Sequence, residues 1–123
     1  MRRKFGERSV ELSENNAQPP PMKKMLKLTV RIRHKDSHGG KNILDLLLSL
    51  YRENGISGAT VLQGIRGYGA RGVSRVDVLG LSVNLPIIIE TIDEYQRIER
   101  VLSKVKEIVG SNGLITLEEV NVF

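Results

Sequence analysis

The plainest pattern in the chain is the alternation Leu26-Lys27-Leu28-Thr29-Val30-Arg31-Ile32-Arg33, which sets Leu26, Leu28, Val30 and Ile32 on one face of a half-buried strand. After the polar stretch His34-Lys35-Asp36-Ser37-His38-Gly39-Gly40 the period changes. Ile43, Leu44, Leu47, Leu48, Leu50 and Tyr51 recur at spacings of three and four, which predicts an amphipathic helix from Lys41 to Asn54 with Gly55 as its C′ residue. A second strand is expected from Ala59 to Arg66, and a short ribbon in the stretch up to Asn84. Pro86-Ile87-Ile88-Ile89-Glu90-Thr91-Ile92 is apolar on both faces at first, as a central strand is. Tyr95, Ile98, Val101, Leu102, Val105, Ile108 and Val109 then give a second helical stripe. Asp93-Glu94-Tyr95-Gln96 resembles a capping box with Asp93 as N-cap, and Gly110 and Gly113 close the helix. Leu114 to Phe123 is the last strand, with a slip in alternation at Glu118-Glu119 that predicts a bulge.

The order strand–helix–strand–strand–helix–strand is the α+β, ferredoxin-like βαββαβ plan. Two helices cover one face of a four-stranded antiparallel sheet and leave the other face open. Ile87, Ile88 and Ile89 cannot all face the helices, so apolar surface points the other way and predicts an oligomer built through the open face.

Composition narrows this picture. A chain of 123 residues makes one domain. It has no cysteine, which excludes disulfides and thiolate metal sites and fits a cytoplasmic setting. No apolar run is long enough for a membrane helix, and no apolar segment follows the basic start to make a signal peptide. Residues 1–24 read as a flexible N-terminal extension, polar around Ser13 to Gln18 and extended at Pro19-Pro20-Pro21, with the domain at 25–123. A chain starting at Met22 is expected to fold. The net charge of +5 lies largely in that extension, which holds six Lys/Arg against three Glu. The remainder is nearly balanced and does not show the charged face of a nucleic-acid binder.

One stretch carries candidate chemistry. From Gly55 to Gly72 the chain starts as a strand and then becomes rich in glycine, with Gly64, Gly67, Gly69 and Gly72, and Arg66, Arg71 and Arg75 put three guanidinium groups around that backbone. Backbone N–H groups together with guanidinium groups suit an anion, a phosphate above all. Lys41, expected at a helix N-terminus, can join them, and Tyr68 can stack on a base or pin the loop against a neighbour. Gly67-Tyr68-Gly69-Ala70-Arg71-Gly72 spells the dinucleotide fingerprint G-x-G-x-x-G. The residues after it, Val73-Ser74-Arg75-Val76, are strand-like, so the helix that fingerprint requires is absent.

Two rival readings follow from other residues. His34, Asp36 and His38, spaced by two, share one side of an extended segment and suit a divalent metal. Gln63-Gly64-Ile65-Arg66 echoes the phosphate loop of acylphosphatases, a hydrolase reading. In those enzymes, however, the loop follows the first strand, and no nucleophile–base pair can be assigned here.

The run from Gly55 to Gly69, together with Leu85-Pro86-Ile87-Ile88-Ile89-Glu90 and Gly113-Leu114-Ile115-Thr116-Leu117-Glu118, resembles the PII-like family known as domain of unknown function 190, over residues 25–123 in one register. The resemblance implies a ferredoxin-like homotrimer related to PII signalling proteins. It also implies an adenine nucleotide or related anion in the clefts between subunits, and a long loop, here 67–84, that docks on a protein partner such as an enzyme or a membrane transporter. With no nucleophile–base pair to assign, no catalysis is expected, and no cofactor beyond a possible adenine nucleotide ligand. The expected ligand-binding residues are Asp36, Lys41, Gly64, Arg66, Gly67, Tyr68, Gly69 and Arg71. Two positions depart from the family pattern: His34 stands for an acidic residue, and Asn42 for a proline after Gly40-Lys41.

Overall fold

A computed structural model describes residues 21–75 and 84–123. Most of the expected extension, residues 1–20, and part of the expected loop, residues 76–83, lie outside the described residues.

The expected plan is present. β1 (Lys23–Arg33), β4 (Thr60–Gln63), β7 (Pro86–Asp93) and β8 (Leu114–Val122) form one four-stranded sheet in the order β4-β7-β1-β8, with every pairing antiparallel. α1 (Ile43–Glu53) and α2 (Tyr95–Val109) connect its halves. Two small ribbons stand outside this sheet: β2 (Ser37–His38) with β3 (Lys41–Asn42), and β5 (Arg66–Gly69) with β6 (Gly72–Arg75).

Period-2 alternation decides which face is covered. Leu28, Val30 and Ile32 of β1 share a face with Ile87 and Ile89 of β7, and all five are buried in one cluster with Ile43, Leu47 and Tyr51 of α1 and Ile98, Val101 and Val105 of α2. Both helices therefore lie on that face. Ile88 pairs with Leu62 and Arg31 on the opposite face, where Leu62, Ile92 and Leu114 are exposed. This is the open apolar surface the isoleucine run predicted.

Several boundaries differ from expectation, each for a local reason. β1 starts at Lys23, because Lys23 and Lys24 pair with Val122 and Asn121 and Lys23 Nζ sits 2.7 Å from Glu94. No bulge forms at Glu118-Glu119. The register runs unbroken from Lys23↔Val122 to Arg31↔Leu114, with Glu118 reaching Lys27 at 3.5 Å and Glu119 accepting the Tyr95 hydroxyl. The slip in alternation is a pair of surface carboxylates with partners on either face. α1 starts two residues later than expected, and Asn42 is its N-cap, the Oδ1 accepting the Asp45 N–H at 3.2 Å. At its other end Gly55 takes φ +75, as a C′ residue should. α2 has Glu94 at its N-cap with no side-chain bond, so the Asp93 capping box does not form. Asp93 is the buried last residue of β7.

One core group lacks a partner. The Tyr51 hydroxyl is buried without a hydrogen bond among the described residues, and burial pushes its pKa up. Removing an unpaired hydroxyl relieves a desolvation cost, so Tyr51→Phe is expected to leave stability unchanged or raise it by up to ~1 kcal/mol. Urea unfolding checks this, and a loss above that size means the hydroxyl has a partner.

Candidate functional site

The glycine-rich stretch folds as a hairpin. β5 and β6 pair Tyr68 with Val73 and Gly69 with Gly72, and Ala70-Arg71 form the turn. Gly72 opens the strand β6, not a helix, in agreement with the rejected dinucleotide fingerprint. The hairpin leaves the main sheet at Gly64, whose N–H donates to the Pro86 carbonyl at 2.8 Å. A Cβ at Gly64 would lie 2.7 Å from Pro86 Cγ, so the residue serves a close backbone approach.

Between the hairpin, the end of β1 and the turn before β8 lies a cleft of about 530 Å³. Its lining includes Gly67, Tyr68, Gly69 and Arg71 from the hairpin, Arg31 and Arg33 from β1, and Asn112-Gly113 from the turn. Pockets that hold small ligands span roughly 300–1,000 Å³, so the cleft has the volume for a nucleotide.

Asp36, behind the cleft lining, holds Arg71 in place. Its side chain is only 4% exposed and takes both Arg71 terminal nitrogens in a bidentate pair, Nη1 to Oδ1 at 2.7 Å and Nη2 to Oδ2 at 2.8 Å. The Arg33 N–H donates to Asp36 Oδ2 at 2.7 Å. Burial pushes the Asp36 carboxyl up, but the Arg71 and Arg33 hydrogen bonds and the charges of those two arginines outweigh it and hold it below the usual carboxylate range. Arg71 Nη2 also donates to the Asn112 carbonyl at 2.5 Å, and Arg33 Nη2 to the Gly72 carbonyl at 2.5 Å. Two arginines thus tie the hairpin tip to the body.

Of the expected site residues, the cleft brings together Gly67, Tyr68, Gly69 and Arg71, with Asp36 behind Arg71. Gly64, Arg66 and Lys41 are not among its lining residues. Arg66 is exposed on β5, opposite Arg75. Lys41 lies in β3 rather than at a helix N-terminus, and that terminus already has the Asn42 cap and Asp45 in its first turn. Asn42, the departure from proline, also donates through Nδ2 to the His34 carbonyl at 2.9 Å and so joins turn to helix. The His34-Asp36-His38 set does not assemble. Residues 34–35 form a turn rather than extended chain, both histidines are exposed, and the Asp36 carboxylate faces Arg71. No group of three metal-ligating side chains occurs among the described residues.

Sequence reasoning missed Arg31 and Arg33, which read only as the polar face of a strand. It also missed Asp93, which accepts Ser57 N–H at 2.7 Å, Ser57 Oγ–H at 3.0 Å and Glu94 N–H at 2.8 Å, with Arg97 Nη1 at 3.4 Å. The signal available was a charged residue ending an otherwise apolar strand.

The family described as DUF190, an uncharacterized ACR, matches residues 25–122. The chain belongs to this family. The DUF190 chain is 43% identical over 96 residues to a UPF0166 protein of Methanocaldococcus jannaschii, covering 78% of this chain and 89% of that protein. It is 40% identical over 88 residues to a UPF0166 protein of Aquifex aeolicus, covering 71% and 82%. Among solved structures it resembles CPII, a nitrogen regulatory PII-like protein from Thiomonas intermedia K12 bound to ADP, AMP and bicarbonate, with TM-score 0.62 and 14% identity over 84% of this chain and 99% of that one. A PII-like signalling protein from Thermus thermophilus matches with TM-score 0.57 and 18% identity over 82% and 90%. At these identities the likeness establishes the PII-like fold. No described helix is long and apolar enough to cross a membrane.

Proposed function

We propose that this DUF190 chain is a PII-like regulatory protein that binds an adenine nucleotide, or a related anion, in the cleft beside the hairpin. The observation that carries the reading is the cleft itself. Three arginines, Arg31, Arg33 and Arg71, line it together with Gly67, Gly69 and the exposed Tyr68. Cations and backbone N–H groups receive phosphate, and an aromatic face receives a base. The PII-like CPII of Thiomonas intermedia bound to ADP and AMP supports the choice of adenine nucleotide.

The active form in this reading is a cytoplasmic homotrimer. The open face with Leu62, Ile88, Ile92 and Leu114 supports self-association, and an adjoining copy closes the cleft. The protein performs no catalysis. The signal passes through the loop 67–84, whose docking on a protein partner changes when the ligand binds beside its hairpin.

Calorimetric titration with ATP, ADP, AMP and cyclic AMP, with and without Mg²⁺, tests the reading. One of them is expected to bind at micromolar concentration, and Arg71→Ala to weaken it by roughly ten-fold or more, the worth of one charge-assisted hydrogen bond. Absence of binding by all four removes the nucleotide reading.

A further inference from the structure

Behind the cleft lies one group that works against an anion. Asp36 is a buried carboxylate that already occupies the two Arg71 nitrogens an incoming phosphate would use. We infer that Asp36 is an internal competitor, a built-in stand-in for the ligand's anionic group, which latches the hairpin through Arg71 until the ligand displaces it. The inference rests on the anion-binding reading of the cleft and adds how that site is regulated.

Three observations carry it. First, the two partners differ in how firmly they are held. Asp36 is anchored by its own backbone, its N–H donating to the Arg33 carbonyl at 3.0 Å and its carbonyl accepting the Ile43 N–H at 2.9 Å. Arg71 sits in the turn of a two-stranded ribbon that pairs with no strand of the main sheet, and its side chain is 39% exposed. When the pair opens, the arginine is the member that can move. Second, the geometry is that of ligand recognition. A planar guanidinium facing two oxygens at 2.7 and 2.8 Å is the fork that a phosphate or carboxylate ligand also fills. Third, the exchange has its replacements in place. Arg33 and Arg31 line the same cleft, and the Arg33 backbone N–H stays on Asp36 Oδ2 when Arg71 leaves. Asp36 Oδ2 then keeps a donor, while Oδ1 gives up Arg71 Nη1.

The energetic consequence has a definite sign. A ligand that must first open a latch binds with an apparent affinity reduced by the fraction of open protein. Removing the competitor therefore tightens binding, whereas removing a residue that merely positions Arg71 for the ligand weakens it. Asp36→Asn keeps the size and part of the hydrogen bonding and deletes the charge.

The test compares wild type with Asp36→Asn in two readouts. These are amide exchange of residues 67–73 in the free protein, and calorimetric affinity for ADP and for inorganic pyrophosphate. The expected result is exchange faster by about ten-fold and anion binding tighter by a similar factor, the scale of one charge-assisted pair at a partly exposed site. Unchanged exchange overturns the latch whatever happens to binding. Faster exchange with equal or weaker binding overturns the competition. Tighter pyrophosphate binding without ADP binding keeps the latch and removes the adenine reading. Failure of both anions on both proteins overturns both ideas. Should Asp36→Asn not fold, the wild type gives the answer. Saturating ADP or pyrophosphate is expected to move the carboxyl resonance of Asp36 as Arg71 departs, and an unmoved resonance in the saturated complex sinks the proposal.

Discussion

Asp93→Ala is expected to lower the unfolding free energy by about 3 kcal/mol, read as a lower urea midpoint at neutral pH. The residue is 2% exposed and its carboxylate satisfies three donors within 3.0 Å: the Ser57 N–H, the Ser57 hydroxyl and the Glu94 N–H. Alanine takes the charged acceptor from two backbone N–H groups and a hydroxyl. Hydrogen bonds to a charged group are worth roughly 1.5–3 kcal/mol each, and the sum is discounted because water reaches the exposed Ser57 and the half-buried Glu94. The Arg97 pair adds little, since that side chain is 39% exposed and its contact is 3.4 Å. Asp93→Asn should recover only part of the loss. Each carboxylate oxygen meets a backbone N–H, and an amide presents one oxygen and one NH₂.

The same residue predicts a pH dependence. Burial raises the Asp93 pKa, but the Ser57 and Glu94 N–H bonds, the Ser57 hydroxyl and the Arg97 charge together lower it below the ordinary value of 3.8. A carboxyl whose native pKa is depressed contributes its stability above the unfolded value and loses it as pH falls through the native one. The difference between wild type and Asp93→Asn should therefore be constant from neutral pH down to about 5 and shrink below about 4. A gap that persists undiminished into that acid range would assign the effect to packing instead.

Gly113→Ala is expected to cost about 2–3 kcal/mol, at the upper end of ordinary overpacking. The backbone there is extended, φ −152, and suits any residue, so the cost is purely steric. A Cβ would overlap the Arg31 carbonyl oxygen and lie 2.8 Å from Ile32 Cγ2. Arg31 belongs to a strand paired on both sides, to Ile88 and to Leu114, so its carbonyl has little room to yield. The substitution also alters the cleft, because Arg31, Asn112 and Gly113 line it together. Gly58→Ala is the control. A Cβ there meets nothing within 4 Å, and its stability should change by less than about 0.5 kcal/mol. If both variants unfold at the wild-type urea midpoint, the close approach at Gly113 does not limit the fold.

These predictions also separate what pattern could convey from what it could not. The sequence by itself determined the architecture. Alternation in β1, the helical stripes of Ile43 to Tyr51 and Tyr95 to Val109, and the apolar run of β7 are local signals, because each element must bury one face. Their order then leaves few topologies, and the ferredoxin-like one is found. The family was legible too, in several motifs that agree in one register.

Only the tertiary structure decided what the charged residues do, since charge has no period. Asp36 and Arg71 are 35 positions apart and Asp93 and Ser57 are 36 apart, so no spacing rule could pair them. Asp36 read as a metal or ligand residue, and Asp93 as a helix cap. Folding turns the first toward a hairpin arginine and the second toward the loop before β4, because a carboxylate taken out of water must find donors nearby and takes whichever the fold supplies. Arg31 and Arg33, indistinguishable in sequence from solvated charge, line the cleft because β1 ends beside the hairpin. The elements were written in local periodicity, and the partners of the buried charges in the packing of elements distant along the chain.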